Sequence, residues 1–150
     1  MSLRTALDRI IVIQAAVSIT DPVTTSIKRA YKLSPDQSEE LADLPCVMNN
    51  VFYVGQEASA QMRTLRYRVQ MQCMVAKSGI EDDRSGDIAV ALWEKLLDDF
   101  SRDIMLAGTV TLALFEEGSS PMPALLDRGT KYIGFEATLN IQITEAFAFA

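Results

Sequence analysis

Carboxylates are the residues most able to do chemistry in this 150-residue chain, because it contains no histidine. The commonest general base and the usual catalytic triads are therefore missing. Four carboxylates crowd one predicted helix: Glu94, Asp98, Asp99 and Asp103. They lie opposite the apolar face of that helix, and Lys95 precedes Asp99 at the i,i+4 spacing of a surface ion pair. We interpret the cluster as a solvated helix face, since perturbed catalytic carboxylates lie in clefts.

A second acidic run, residues 81–92, has the outline of a calcium-binding loop. With Glu81 in the first position, Asp83 and Gly86 fall in the third and sixth, as such a loop requires. The twelfth position is Leu92, where a bidentate glutamate is needed. The run therefore predicts an acidic turn leading into a helix, with neither a metal site nor a cofactor.

Three arginines stand close together in the middle of the chain: Arg63, Arg66 and Arg68. They could contact phosphate, but the net charge is −6 and the isoelectric point about 4.6. A nucleic-acid or anionic-membrane surface needs clustered positive charge across the whole domain. We therefore expect the arginines to be surface or intersubunit ion-pair partners.

The composition predicts one globular domain over residues 1–150. Hydrophobic residues make up 49% of the chain and charged residues 23%, which is typical of soluble proteins. No apolar run is long enough to span a bilayer. Cys46 and Cys73 show no metal or disulfide spacing, so a reduced intracellular protein is expected, with Cys73 as a core residue.

The elements that position these residues begin with a central strand, residues 63–77. Its side chains alternate between two faces, as in a half-buried strand. The apolar face comprises Leu65, Tyr67, Val69, Met71, Cys73 and Val75. The polar face comprises Arg66, Arg68, Gln70 and Gln72.

A final strand, residues 131–144, alternates in the same way and is unusually long. Its apolar face comprises Ile133, Phe135, Ala137, Leu139, Ile141 and Ile143. Its polar face comprises Glu136, Thr138, Asn140, Gln142 and Thr144. A small domain has little core to cover about 40 Å of strand, so part of it is expected to meet a neighbouring subunit.

The remaining pattern completes an α+β domain of order α-β-β-α-β-β, with two main helices on an antiparallel or mixed sheet of four to five strands. One helix is capped by Ser2 and ends before residues 20–22; the other is capped by Ser85 and ends at Gly108. Shorter strands are predicted at residues 24–33, 46–54 and 109–115, with a helical turn at 37–43 and loops at 56–62 and 116–130. The polar strand faces are rich in Gln, Asn and Thr. Such a face suits a subunit contact or a water-filled channel, and equally an ordinary solvated surface.

This order of elements resembles that of the tail terminator proteins of long-tailed bacteriophages and related gene transfer agents. The resemblance spans nearly the whole chain and is one of pattern and size. It lies in the capped first helix, Ile27-Lys28-Arg29-Ala30-Tyr31, Leu44-Pro45-Cys46, the strand from Arg63, the helix from Ser85, and Tyr132-Ile133-Gly134-Phe135-Glu136.

The resemblance implies a ring, hexameric in that family, which sits on the end of the tail tube, stops its polymerisation and offers a surface to the head connector. The implied partners are further copies of the chain, the tail tube protein and the head connector or closure protein. DNA would pass through without specific binding, and no membrane is involved. The implied location is the virion tail, assembled in the host cytoplasm. The family has no catalytic residues, so the protein is not expected to be an enzyme.

The expected site follows from the resemblance and the polar strand faces. The predicted subunit or channel face comprises Arg63, Arg66, Arg68, Gln70, Gln72, Glu136, Thr138, Asn140 and Gln142. The predicted tube or connector contacts comprise Gln56, Glu57, Gln61, Glu116, Glu117, Ser119, Ser120, Asp127 and Arg128. Two alternatives remain open: a head–tail joining or head-closure protein, and an α+β domain that binds a small molecule or acts as an enzyme.

Overall fold

The first helix, α1 (Leu3–Ala15), begins where the sequence predicts and ends at Ala15, ahead of the predicted stop at residues 20–22. The computed structural model describes residues 2–35, 40–118 and 121–146. The Ser2 Oγ accepts a hydrogen bond from the Thr5 amide at 3.2 Å, which confirms the predicted cap. The helix buries Ala6 and Ile10 against the core.

The rest of the described chain forms eight strands and a second helix. In chain order they are β1 (Ser18–Ile19), β2 (Thr25–Ser26), β3 (Arg29–Tyr31), β4 (Cys46–Ala58), β5 (Met62–Lys77), α2 (Asp82–Ser101), a 3-10 turn (Leu106–Gly108), β6 (Leu112–Phe115), β7 (Ala124–Asp127) and β8 (Lys131–Ala146). β1 and β2 form a small separate hairpin. The others form one sheet in the order β3-β4-β5-β8-β6, with β7 also paired to β8.

The fold is α+β, with two helices and a mixed sheet, as the sequence predicts. Only the β3–β4 pair is parallel among the described strands. The predicted strand count and the order α-β-β-α-β-β were wrong, because hydrophobic alternation in the sequence does not reveal three of the short strands. A strand of two to four residues is too short to display alternation.

The predicted loop at residues 56–62 is wrong. Gln56 and Glu57 continue β4 and pair with Leu65 and Thr64 of β5. A tight turn joins the strands, and the Ser59 amide donates to the Met62 carbonyl at 2.8 Å. The polar composition of this segment reflects an exposed hairpin end rather than an irregular loop.

The second helix starts earlier than predicted. Glu81 precedes it in a left-handed conformation, with φ of 50°. The Asp82 carboxylate accepts from the Gly79 amide at 2.8 Å and so folds the turn onto the first helical residue. Asp83 adds a second negative charge where the helix dipole favours it. Ser85 is therefore a buried residue inside the helix and not its cap.

The same helix also ends earlier, at Ser101 rather than near Gly108. The backbone turns left-handed at Leu106, Ala107 and Gly108, with φ of 47°, 55° and 82°. The Asp103 carboxylate accepts from the Ala107 amide at 2.8 Å and holds this turn. The strand predicted at 109–115 accordingly begins only at Leu112.

The predicted loop at residues 116–130 contains β7, which pairs antiparallel with the first residues of β8. The loop prediction is therefore wrong for this part. Residues 119 and 120 lie outside the described residues, as do residues 37–39 and 147–150. The helical turn predicted at 37–43 is wrong for residues 40–43, which form no helix.

Both helices pack on one face of the sheet, which we call the helix-covered face. Its fully buried strand residues include Val69, Met71, Cys73, Leu139 and Ile141. This confirms the predicted alternation of the two long strands and the core position of Cys73. A second, smaller cluster lies apart from this core and contains Leu41, Cys46, Met48, Met74, Leu126 and Tyr132.

Candidate interaction surface on the opposite face of the sheet

Eight of the predicted site residues form two adjacent columns on the face of the sheet opposite the helices. We call this surface the polar sheet face: Arg66, Arg68, Gln70 and Gln72 on β5, and Glu136, Thr138, Asn140 and Gln142 on β8. The strand register sets each residue of one column directly beside one of the other. Arg63 pairs with Glu145 and, two residues before Leu65, lies on the opposite face of β5.

The arginines form ion pairs within the chain. Arg66 lies 2.9 Å from the Glu57 carboxylate, and Arg68 lies 3.6 Å from that of Glu116. Arg63 pairs with Glu145. The hydrogen bond from Arg66 lowers the pKa of Glu57, and the same bond raises the pKa of the guanidinium. Such exposed pairs contribute little to stability, but they leave this surface without an excess of positive charge.

The centre of the polar sheet face is half-buried and, apart from Glu136, carries uncharged side chains. Gln70 stands beside Thr138, and the Gln72 amide donates to the Glu136 carboxylate at 2.6 Å. A groove of about 230 Å³ opens toward β4, lined in part by Val54, Asn140 and Gln142. Amide and hydroxyl groups in this arrangement can donate and accept hydrogen bonds across a protein contact.

The predicted tube or connector residues fall into three places. Gln56, Glu57 and Gln61 lie at the exposed end of the β4–β5 hairpin. Glu116 and Glu117 follow β6 and border the polar sheet face, and Asp127 ends β7. Arg128 is buried, with 7% exposure, and donates to the Pro35 carbonyl at 2.7 Å. Ser119 and Ser120 lie outside the described residues.

Arg128 therefore holds two segments of the chain together and is not presented to a partner by an exposed loop, which corrects its predicted placement.

A cleft of about 570 Å³ lies beside the polar sheet face, and three glutamates converge on it: Glu116, Glu117 and Glu136. Trp93 and Met122 supply part of its wall. Within the described residues, no group of three or more His, Cys, Asp or Glu is arranged to hold a metal ion.

The acidic cluster on α2 carries ion pairs, as predicted. Lys95 lies 2.9 Å from Asp99, and Arg102 lies 3.0 Å from Asp98. Asp103 pairs with Arg9 of α1 at 3.0 Å. Three of these four carboxylates therefore have a cationic partner, as expected of a helix surface rather than a catalytic pair.

The sequence reasoning missed the contribution of β4. Phe52, Tyr53 and Val54 are 53%, 60% and 49% exposed. A strand buried on one face leaves alternate residues exposed, so three consecutive apolar residues cannot all enter the core. That run of three was the signal available in the sequence.

Comparisons with known proteins do not assign the chain to a family. No protein-family model matches it, and no curated protein matches it significantly. None of the helices in the described part of the chain is both long and apolar enough to cross a membrane. Its function is therefore inferred from the polar sheet face and from the order of its elements.

Proposed function

We propose that this protein is a structural component of a phage or gene-transfer-agent tail. It forms a ring, hexameric by the family pattern, that caps the tail tube, stops its polymerisation and offers a surface to the head connector. It acts without catalysis or cofactor, in a virion tail assembled in the host cytoplasm. The observation that carries the proposal is a long sheet with one face covered by helices and the other polar and, among the described residues, left uncovered along much of its length.

The length of the strands supports an assembly role. β4, β5 and β8 contain 13, 16 and 16 residues. At about 3.3 Å per residue the longest reach roughly 50 Å, against about 17–20 Å for a common strand. Strands of that length in so small a domain extend surface beyond what its own core uses, and a subunit contact would use it.

The charges support a channel or contact surface through which DNA passes without specific binding. The net charge is −6, and the arginines of the polar sheet face already pair with Glu57 and Glu116. A surface that held DNA would present positive charge to its phosphates. Neutral amides and paired arginines do not.

The small-molecule alternative would use the cleft beside Trp93. Ligand sites are usually lined by apolar and aromatic side chains with a few polar groups. This cleft instead gathers Glu116, Glu117 and Glu136 around a single tryptophan and a methionine. That lining favours the assembly role over ligand binding.

The first test is the native mass of the purified protein, with negative-stain electron microscopy. One chain has a mass of 16.6 kDa, so we expect a ring of roughly 100 kDa with a central hole if six copies close. A monomer carrying a copurified ligand in its cleft would favour the binding-domain alternative.

The decisive test is deletion of the gene followed by measurement of tail lengths. The tube-capping role predicts over-long tails, because nothing stops the addition of tube subunits. Tails of normal length that fail to join heads would point instead to a head-closure protein. Tails of normal length that are joined to heads would contradict both the tube-capping role and the head-closure role.

The polar sheet face can be tested by reversing its charge. In Arg66→Glu with Arg68→Glu, each new carboxylate faces the one that formerly paired with the arginine, at Glu57 and Glu116. We expect a weakened ring and a retained fold. The double variant Arg4→Glu with Arg84→Glu matches the charge change on exposed helix surface and should assemble normally. Unchanged ring mass in the first variant would count against this face as a contact.

A further inference from the structure

The outer edge of β4 is uncovered over most of its length. β3 pairs only with residues Cys46 to Met48, so from Asn49 onward the described strands leave that edge open. Monomeric proteins protect such edges with charges or proline. Residues 49–56 of β4 contain neither, and the one protective feature there is a bulge between Tyr53 and Gly55.

The same edge carries exposed apolar side chains. From typical side-chain areas, Phe52, Tyr53 and Val54 together leave about 300 Å² of largely apolar surface open to solvent. This surface wraps around the edge, because Phe52 lies beside Arg68 on the polar sheet face and Tyr53 lies beside Tyr67 on the helix-covered face. The β4 edge therefore combines an open backbone with an apolar surface.

The opposite margin of the sheet has a second apolar patch. Leu97 of α2 and Leu114 of β6 are 38% and 49% exposed, and they line a groove of about 220 Å³ together with Ala113. Ile104, 41% exposed, is held against this margin because its carbonyl accepts from the Ala113 amide at 2.6 Å. This margin thus presents mainly side chains to a partner.

The two patches lie on the same rows of the sheet. One row runs from Phe52 through Arg68 and Asn140 to Leu114. The next row runs from Tyr53 through Tyr67 and Ile141 to Ala113 in the same way. Phe52 and Leu114 therefore lie at the two ends of one row, on the same face.

This placement decides how copies can meet. Two different patches that bind each other give a head-to-tail contact, which closes into a ring when successive copies are related by rotation alone. Patches on the same row let successive copies meet without a shift along the strands, an arrangement compatible with a closed ring.

We propose that the β4 edge of one subunit, with Phe52 and Tyr53, packs onto the Leu97–Ile104–Leu114 margin of the next. From their exposed fractions and typical side-chain areas, the two patches together offer roughly 600 Å² of largely apolar surface. At the usual non-polar fraction of interfaces this implies a contact of about 1,000 Å², which is the lower limit for a specific one. The inference deepens the ring proposal and rests on it, and it identifies the occupant of both patches as a second copy of this chain.

The test is disulfide cross-linking between two variants that each carry one added cysteine, Phe52→Cys and Leu114→Cys, each purified and then mixed under mild oxidation. We expect cross-linked dimers in the mixture and almost none in either variant alone. Closed ladders of higher mass are expected from the double variant. Mixing Phe52→Cys with Val12→Cys, whose side chain is also exposed but lies on α1, should give none. The same oxidation of the wild-type protein measures any cross-linking through the native Cys46 and Cys73, which are buried.

The outcomes separate this contact from the tube-capping role. Cross-linking of Phe52→Cys with itself would show a two-fold contact and overturn the proposal. Rings that form without the expected cross-link would overturn the contact while leaving the ring intact. A wild-type protein that stays monomeric and uncross-linked also overturns it, whereas the tube-capping role is decided separately by tail length.

Discussion

The two faces of β5 and β8 share one backbone and differ only in alternate side chains. On the helix-covered face, Leu139 and Ile141 are completely buried against the core. On the polar sheet face, their neighbours Asn140 and Gln142 are only partly buried and line a groove. Stability is therefore concentrated on one face, which leaves the other free to be selected for contacts.

Each face has one exception that qualifies this division. The helix-covered face contains a buried amide pair, in which Gln14 and Asn49 exchange two hydrogen bonds of 2.8 Å. The sheet also carries a closed apolar cluster apart from the main core, around Tyr132, whose hydroxyl accepts from the Leu41 amide at 3.2 Å. The division is therefore sharpest in the middle of the sheet.

The largest predicted effect on the free energy of unfolding comes from disturbing the close approach of β5 and β8 at Gly134. A Cβ added at Gly134 would lie 1.7 Å from the Cys73 carbonyl oxygen, where β5 and β8 approach at a bulge. We expect Gly134→Ala to cost about 3 kcal/mol or more, because backbone must move. Gly55→Ala is the matched control, with no heavy atom within 4 Å, and should change stability by less than about 1 kcal/mol. Urea unfolding measures the free energy of unfolding of both variants. Equal values for Gly134→Ala and Gly55→Ala would contradict the close approach of the two strands.

The most direct test of the comparison uses neighbours on opposite faces. Leu139→Ala should cost about 2–5 kcal/mol by leaving a cavity in the core. Asn140→Ala should change stability by no more than about 0.5 kcal/mol. If the polar sheet face is a contact, only the second variant should lose ring mass while remaining folded. A destabilised Asn140→Ala monomer would show that this face also supports the fold.

A smaller effect is expected at the buried amide pair. Asn49→Ala leaves the Gln14 amide buried without its partner, at a cost of about 1–3 kcal/mol. Replacing both residues with leucine removes the two amides together and should recover part of that loss, although the Tyr31 carbonyl then loses the hydrogen bond that Asn49 donates to it at 2.8 Å. A double-mutant cycle on unfolding free energies measures the coupling. Simple additivity would show that the pair acts as two independent residues.

The smallest predicted effect concerns pH. Burial raises the pKa of Cys46 from 9.0 to about 11, and it raises the pKa of Cys73 further. The unfolded thiols ionise first, so stability is full below about pH 9 and falls as pH rises toward 11. Unfolding midpoints at pH 8 and pH 10.5 should show a shallower fall in Cys46→Ala than in wild type. An identical fall would assign the pH dependence to other groups.

The sequence by itself determined the faces of the long strands and the start of α1. Period-two alternation over residues 63–77 and 131–144 assigns side chains to a face up to the bulge between Met74 and Ala76, because successive residues of a regular strand point to opposite faces. Ser2 identifies the first helical turn, because a serine oxygen accepts from an early amide. Both rules depend only on residues that are near one another in the chain. The turn at Asp82 is held by a local hydrogen bond that the sequence pattern did not reveal.

Tertiary structure alone decided the rest. The order of the strands, which places β8 between β5 and β6, depends on contacts between distant segments whose positions the whole fold sets. The same is true of the rows that align Phe52 with Leu114, which lie 62 positions apart in the chain but on one line across four strands. Alternation fixes which face a residue occupies, whereas strand order and register fix its neighbours, and those are set by packing energy summed over the entire sheet.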